Sequence, residues 1–441
     1  MEASRRKVIV WGGELKKDIQ FDVPAQQVCY CDRDNQRNFF TLNDDLLSRH
    51  LVLVGGSGSG KTNVFNLTLD QLRKKRQDHD IFIIFDTKGD FYRRFGGVGD
   101  IVLGNGREYR RNSASWNLFE DVLADGTDPE DYELNAKEMA ASLFAGRGSS
   151  SQPFFVNAAR DIFANIIIYF IRCAQENSDR KRLLNNKKLI QFFREADSKK
   201  YSELFYRYPD MKSMLSYIGD GTGGQALGVL GELKSMINDC FIGVFEEDDK
   251  NGRFSMRKAV KEKGGRAIFI EYDLTVGEVL TPIYRLLIDL ALKEALGRGE
   301  KEKGNVYLVL DELKLLPKLQ HLDDALNFGR SMGVKVMAGI QSINQLYDIY
   351  GREKGTVIAG GFGSIFGFRT SDHASREYIS ELFGRNVISF QYTGLDRQPV
   401  KREREGYVVE SWDQLALKKG QAVIGLADEA EPFLFQFEYM G

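Results

Sequence analysis

The chain has 441 residues, 42% of them hydrophobic and 28% charged, so it is long enough for two or three domains with a buried core. Its formal net charge of −2 excludes a strong overall positive field, so contact with nucleic acid would have to come from local basic clusters. Four cysteines are too few for a disulfide framework in a chain of this length.

Short apolar runs, rich in β-branched and aromatic residues, recur along the chain. In order they are VIVW (8–11), LVLV (51–54), IFIIF (81–85), AIFIEY (267–272), VYLVL (306–310), VKVMAGI (334–340), SIFGF (364–368), AVIGL (422–426) and FLFQF (433–437). Most do not alternate with polar residues, which is typical of strands covered on both faces. Helical patterns lie between them, as at 63–76 and 320–332. This alternation predicts an α/β fold with a doubly wound, mainly parallel sheet.

The strand signal disappears between about 125 and 255, where the apolar spacing is helical throughout. We therefore predict a nucleotide-binding domain in two parts, 1–124 and 256–441, with an all-α domain inserted at 125–255. The most apolar helix pattern, at 161–174, is interrupted by Asn165 and Arg172 and is shorter than a membrane span requires. It is predicted to be a buried helix, in a chain that does not itself span a membrane.

Residues 55–62, GGSGSGKT, match the pattern G-x-x-x-x-G-K-[ST] directly after a predicted strand and before a predicted helix. Glycines let the backbone wrap around phosphate groups, and the helix N-terminus adds a positive dipole. Lys61 is predicted to reach the β- and γ-phosphates of ATP, and the Thr62 hydroxyl to bind Mg²⁺. The predicted nucleotide contacts are Gly55, Gly56, Ser57, Gly58, Ser59, Gly60, Lys61, Thr62 and Asn63.

A second apolar strand pattern, VYLVL, ends in Asp311 and Glu312. Asp311 is predicted to hold Mg²⁺ through a water molecule, and Glu312 is predicted to polarise the water that attacks the γ-phosphate. An Asp-Glu pair at a strand end is often only a turn, so this interpretation depends on the phosphate loop upstream.

Two further residues are typical of an ATP-driven motor rather than of a simple nucleotide switch. Gln341 follows the strand VKVMAGI, where a polar side chain is placed to sense the γ-phosphate; an ordinary strand-end turn is the alternative. Arg330 ends a helix pattern that is otherwise apolar on one face, and it could act as an arginine finger on the nucleotide of a neighbouring subunit. A surface salt bridge is the alternative for Arg330.

The order and spacing of several segments resemble the coupling proteins of type IV secretion and bacterial conjugation, of the TraG/TraD type. The resemblance runs from about residue 48 to the end of the chain. It rests on the segments RHLVLVGGSGSGKTN, IFDTKGDF, SASWNLFED, PFFVNAARDIFANIIIYF, VLDELKLLPKL, GRSMGVKVMAGIQSINQL and GSIFGFRTSDHASREYISELFG.

This resemblance implies a RecA-like P-loop ATPase domain that carries an all-α domain and assembles as a homo-hexamer. It implies transport of single-stranded DNA, without sequence preference, together with a relaxase or another secreted cargo protein. ATP and Mg²⁺ are the implied cofactors. Residue by residue, it assigns the roles above to Lys61, Thr62, Asp311, Glu312, Gln341 and Arg330. It adds Arg49 as an arginine at the nucleotide site, and it matches Asp86 and Lys88 to a D-x-K-G turn to which no role is assigned.

Members of that family usually begin with membrane helices, which this sequence does not show. The chain is therefore expected to be cytoplasmic, at the inner face of a bacterial membrane, held there by type IV secretion components, a separate membrane anchor or a missing membrane segment. Two other functions stay open: a DNA pump of the HerA or FtsK type in repair, segregation or defence, and a cargo-docking receptor gated by nucleotide. Because Glu312 adjoins Asp311 and no acceptor motif is present, a small-molecule kinase is disfavoured.

Overall fold

The structure, a computed structural model, describes residues 6–17, 19, 28–147, 153–219, 223–247, 252–297, 299, 304–393 and 399–440. Its strands are β1 Arg6–Trp11, β2 Val28–Cys31, β3 Phe39–Leu42, β4 Leu51–Val54, β5 Ile81–Asp86, β6 Ile101–Leu103, β7 Ser115–Trp116, β8 Arg253–Phe254, β9 Ala267–Glu271, β10 Val306–Leu310, β11 Val334–Ile340, β12 Ser364–Phe368, β13 Arg385–Thr393, β14 Pro399–Tyr407, β15 Gln421–Gly425 and β16 Phe433–Gln436. All nine apolar runs predicted as strands are confirmed.

Helices occupy much of the remaining described chain. They are α1 Asp44–Ser48, α2 Lys61–Lys75, α3 Asp90–Phe95, α4 Leu118–Val122, α5 Pro129–Phe144, α6 Pro153–Glu176, α7 Asn186–Glu195, α8 Ser198–Arg207, α9 Leu215–Ile218, α10 Gly224–Cys240, α11 Met256–Glu262, α12 Gly277–Leu296, α13 Leu322–Phe328, α14 Asn344–Tyr350, α15 Arg352–Gly360, α16 His373–Leu382 and α17 Ser411–Ala416. The helix predicted at 63–76 is α2, and the one predicted at 320–332 is the shorter α13.

The first of two compact units holds the described residues up to Arg76, then Tyr307–Lys314, and those from Asp323 onwards. Its main sheet has the strand order β16-β15-β12-β4-β11-β10. β4 pairs in parallel with β11 on one side and with β12 on the other, and β15 pairs antiparallel with both β12 and β16. Every residue of β4, β11 and β12 is buried, which explains why their sequences are continuously apolar.

The same unit carries strands that the apolar pattern does not reveal. β13 pairs antiparallel with β1 and with β14 to form a separate three-stranded sheet. The sequence of β14, PVKREREGY, is largely charged, so a search for apolar runs passes over it. β2 and β3 form a two-stranded antiparallel pair.

The second compact unit comprises Gln77–Val306 and Leu315–Leu322 in its described parts. Its strands β5, β9 and β6 lie side by side in that order and pair in parallel. From Leu118 to Cys240 every regular element within the described residues is helical. The predicted all-α domain at 125–255 lies within this unit, but the unit is wider than that range. The division of the chain at 125 and 255 therefore stays a prediction.

The longest helix of the second unit is α6, and it contains the pattern predicted as a buried helix. Among the described residues α6 alone is long and apolar enough to cross a membrane, judged by length and composition. More than half of that apolar stretch is buried in the structure, including Ile162, Ile166 and Ile167. A buried core helix passes the same test, and the burial favours that interpretation.

Candidate nucleotide-binding site

The loop at 55–60 joins the buried strand β4 to α2, so it emerges at the carboxyl end of the strand. Gly60 has φ of +121°, a conformation that favours glycine. A Cβ atom on Gly55 would lie 2.5 Å from the Cβ of Phe368 in β12, so a side chain there would collide with the neighbouring strand. The loop's glycines therefore allow both its turn and its close packing.

Lys61 begins α2, and its side chain is largely buried. Its Nζ donates hydrogen bonds to the carbonyl oxygens of Gly55, at 2.5 Å, and Gly56, at 3.2 Å. The ammonium group is thus folded over the loop that precedes it, where negative oxygens attract it. Phosphate oxygens are ligands of the same kind with more charge, so this position fits the predicted role of Lys61.

The Thr62 hydroxyl donates a 3.1 Å hydrogen bond to Oδ1 of Asp311, although the two residues are 249 positions apart. Asp311 follows β10 and is buried. A hydroxyl and a carboxylate at this spacing are oxygen ligands of the type that Mg²⁺ takes together with water and phosphate. The structure brings the two predicted metal-binding residues together.

Glu312 lies beside Asp311 and is hydrogen-bonded to Gln341, whose Nε2 donates to Oε2 of Glu312 at 2.6 Å. The other carboxylate oxygen, Oε1, is buried and has no hydrogen-bond partner among the described residues. Burial raises the pKa of Glu312 above its ordinary value of 4.5, while the bond from Gln341 and the charge of Lys61 oppose that shift. A basic carboxylate with one oxygen held and one unpaired can accept a proton from a bound molecule.

Arg49 and Arg330 lie away from this loop within the chain. Arg49 precedes β4 and Arg330 precedes β11, so both lie at the amino ends of parallel strands whose carboxyl ends carry the loop and Gln341. The four residues of β4 span about 13 Å. Arg49 was predicted to lie at the nucleotide site, but the structure does not bring it to the phosphate loop of its own chain.

Both arginines instead meet the same carboxylate. Arg330 and Arg49 each form an ion pair with Asp45 of α1, and Arg49 also pairs with Asp428 at 2.8 Å. The side chain of Arg330 is 56% exposed, so it remains accessible to another molecule. The position is compatible with the salt bridge considered for Arg330 and with a role towards a second subunit.

Asn63, predicted as a nucleotide contact, binds the C-terminal segment. Its Nδ2 donates to the carbonyl oxygen of Glu438 at 2.7 Å, and its Oδ1 accepts from the backbone N–H of Met440 at 2.9 Å. Asn63 thus holds this segment beside the first turn of α2.

Sequence reasoning missed a group of residues on the other side of the phosphate loop. A cavity of about 340 Å³ lies between residues 56–59 of the loop and the side formed by Arg369, Thr370, Ser371 and Lys419. Two backbone hydrogen bonds fix these segments to the loop: Gly56 N–H to the Arg369 carbonyl at 3.0 Å, and Gly420 N–H to the Ser59 carbonyl at 2.8 Å. The polar residues 369–371, which directly follow β12, could have indicated this side of the site. β12 is a parallel neighbour of β4, so the carboxyl ends of both strands lie at the same edge of the sheet.

A glycine-rich loop, a lysine that begins the following helix, and carboxylates from a neighbouring strand define the P-loop nucleotide-binding class with a RecA-like fold. Within that class, residues 40–396 match the model of the type IV secretion-system coupling protein DNA-binding domain, and the chain belongs to this family.

Individual relatives agree with this assignment. The coupling protein TraD of Escherichia coli (strain K12) is 26% identical over 344 residues, which is 76% of this chain and 44% of TraD. The structure of the plasmid coupling protein TrwB in complex with ADP and Mg²⁺ has a TM-score of 0.74 at 20% identity, covering 100% of this chain and 96% of that one. TrwB with a non-hydrolysable ATP analogue gives 0.73 at 20% identity, covering 98% and 95%. The chain spans less than half the length of the curated relatives it matches.

Proposed function

We propose that the chain is an ATP-hydrolysing motor that moves single-stranded DNA, or DNA with an attached protein, to a type IV secretion channel during conjugative transfer. The observation that carries the proposal is the convergence of Lys61, Thr62, Asp311, Glu312 and Gln341 at one edge of one sheet. Membership of the coupling-protein family supports the DNA cargo and favours this function over a HerA- or FtsK-type pump.

The residues present fit ATP and Mg²⁺. TrwB, a relative with the same fold, has been determined with ADP and Mg²⁺ and with an ATP analogue. In this chain Lys61 and the loop N–H groups would hold the phosphates, and Thr62 and Asp311 would hold the metal ion. When bound, Mg²⁺ neutralises charge on the terminal phosphates.

The hydrolytic work of the chain itself falls to Glu312 and Gln341. The unpaired Oε1 of Glu312 is free to orient a water molecule and to take its proton. Gln341 holds the opposite oxygen, so a change at the terminal phosphate reaches Gln341 through Glu312. Gln341 follows β11, and the loss of phosphate can thus be passed to that strand.

The supporting assembly is part of the same proposal. The chain would act as a homo-hexamer at the inner face of the membrane, with a relaxase or another cargo protein delivered to it. The predicted all-α domain at 125–255 is the proposed cargo-recognition region. In the hexamer, Arg330 and Arg49 would reach the nucleotide of the adjacent subunit, since each lies remote from the phosphate loop of its own chain.

ATP hydrolysis measured with and without single-stranded DNA tests the proposal. Wild-type protein is expected to hydrolyse ATP faster when DNA is present and to displace streptavidin from the end of a biotinylated strand. Lys61→Ala is expected to do neither while still binding DNA. Equal turnover by wild type and Lys61→Ala, or the absence of DNA binding at low salt, would overturn it.

A further inference from the structure

The D-x-K-G turn at 86–89, in the second compact unit, is held rigidly by its aspartate. Oδ1 of Asp86 accepts hydrogen bonds from the N–H groups of Lys88 and Gly89, and Oδ2 accepts from those of Phe91 and Tyr92, at 2.8–3.2 Å. Both carboxylate oxygens of Asp86 are therefore hydrogen-bonded to backbone N–H groups, and these bonds fix the shape of the turn. This is the structural role that the sequence left unassigned.

Gly89 is required by the same arrangement. It has φ of +71°, and a Cβ there would lie 1.8 Å from the hydroxyl oxygen of Tyr109. With Asp86 and Gly89 fixed, Lys88 is left exposed on the outside of the turn. The motif thus presents one cation at a defined position.

Lys88 lies at the edge of a cavity of about 170 Å³. The cavity is lined by the turn, by Gly106, Glu108 and Tyr109, and by the residues from Glu271 to Leu274 that end β9. Leu274 is 79% exposed, an unusual position for a large apolar side chain. The volume is below that of pockets that enclose whole drug-sized ligands, so the cavity suits one small group.

Glu271 lines this cavity and is 97% buried, since its exposed fraction is 3%. Its Oε1 has no hydrogen-bond partner among the described residues. Burial, followed by the charges of Asp86 and Glu108, raises the pKa of Glu271 to about 9. Its carboxyl group is consequently neutral near pH 7, and it can both donate and accept a hydrogen bond.

These features disfavour two kinds of ligand. A metal ion is disfavoured because Asp86 is already saturated, and the described residues contain no group of three His, Cys, Asp or Glu side chains suited to one. A free anion inside the cavity is disfavoured by the acidic neighbours Asp86, Glu108 and Asp273. A neutral group with both donor and acceptor atoms remains.

Three cations surround this cavity, and one of them, Arg93, is ion-paired with Glu108 at 3.4 Å and donates a hydrogen bond to the Lys88 carbonyl oxygen at 3.3 Å. Lys88 and Arg107 are exposed, and neither has an ion-pair partner in the part of the chain that the structure describes. Arg107 lies between two lining residues, Gly106 and Glu108. A polar-aromatic recess with cations at its edge is the arrangement that accepts a nucleobase while its phosphates stay in solvent.

We propose that this cavity receives a base of single-stranded DNA. The base forms a hydrogen bond with Glu271, and Tyr109 and Tyr272 form the walls of the cavity. Lys88 and Arg107 contact the flanking phosphates. The inference rests on the proposed function, and it identifies a position at which the protein would bind its DNA.

Photocrosslinking provides the direct test. Full-length protein is irradiated with a single strand that contains 5-iododeoxyuridine, and the attached peptides are mapped. Crosslinks are expected in peptides that contain Tyr109 or Tyr272. If wild type binds the strand but crosslinks form only elsewhere, this inference is overturned and the proposed function stands. If wild type binds no single-stranded DNA, both are overturned.

Substitutions of Lys88 and Glu271, with Lys17 as the control position, measure the same contact by affinity. Lys88→Ala is expected to weaken binding and to lower the salt dependence by about one phosphate contact, whereas Lys17→Ala, which removes an exposed lysine of the other unit, should not. Glu271→Gln keeps a neutral donor and acceptor and should bind within about twofold of wild type, while Glu271→Leu should lose roughly fivefold. Equal affinity of Lys88→Ala and Lys17→Ala would contradict the proposal, even if a Glu271 variant failed to fold.

Discussion

The Thr62 hydroxyl donates a hydrogen bond of 3.1 Å to the Asp311 carboxylate. This bond joins the first turn of α2 to the end of β10, so the phosphate loop and the carboxylate pair form one site in the folded chain. Because the two segments are joined, the charge of Lys61 also acts on the neighbouring Glu312 and lowers the pKa of its carboxyl group.

Replacing Gln341 by Leu is expected to move the acid limb of ATP hydrolysis to higher pH. Burial already raises the pKa of Glu312, and the bond from Gln341 opposes that rise by stabilising the carboxylate. Without the bond, a larger fraction of Glu312 is protonated at a given pH, and a protonated carboxyl cannot act as a base. The measurement is kcat/KM against pH for both proteins with the same substrate, so that titration of ATP itself cancels. Superimposable acid limbs would show that Gln341 does not act through Glu312.

Arg330→Ala is expected to abolish hydrolysis without preventing ATP binding, if Arg330 serves the nucleotide of a neighbour. Arginine fingers contribute roughly 10³–10⁵ in rate. Mixing Arg330→Ala with Lys61→Ala subunits should restore part of the activity, because some interfaces then combine an intact loop with an intact arginine. A surface salt bridge to Asp45 alone would leave Arg330→Ala nearly as active as wild type.

Lys419→Ala is expected to weaken ATP binding by about two- to fivefold, the range for an exposed charge interaction. Lys419 lines the cavity beside the phosphate loop, and the adjacent Gly420 is bonded to Ser59. Lys418→Ala is the matched control, since Lys418 is an exposed lysine one position away and does not line that cavity. Isothermal titration with a non-hydrolysable analogue measures both. Identical affinities for the two variants would remove Lys419 from the site.

Glu271→Gln is expected to gain stability relative to wild type as the pH rises from about 4.5 to about 9. In the folded protein the pKa of Glu271 is raised to about 9 from 4.5, so its favourable contribution is complete below 4.5 and is lost as the pH rises to 9. Gln does not titrate, and the difference in unfolding free energy should grow by up to about 1.4 kcal/mol per pH unit. Denaturant unfolding at pH 6, 7 and 8 measures it, with the exposed Glu278→Gln as control. A difference independent of pH would contradict the buried, neutral state of Glu271.

Sequence reasoning was accurate where the signal is local. The buried strands β4 and β11 have continuous apolar sequences, and the loop GGSGSGKT carries its chemistry within eight residues. The carboxylate pair could be connected to that loop because it also ends an apolar strand.

Other features depend on contacts that no local pattern encodes. Lys419 meets the loop only because β15 and β12 are neighbours in the sheet, and Asn63 binds a segment some 375 positions away. The strand β14 alternates charges and was missed for that reason.

The most direct test of the central claim is a structure of Glu312→Gln with ATP and Mg²⁺ bound. Lys61 is expected to leave the carbonyl oxygens of Gly55 and Gly56 and to contact the terminal phosphates, with Mg²⁺ between the Thr62 hydroxyl and Asp311. A triphosphate bound elsewhere, with Lys61 still bonded to Gly55, would contradict the account.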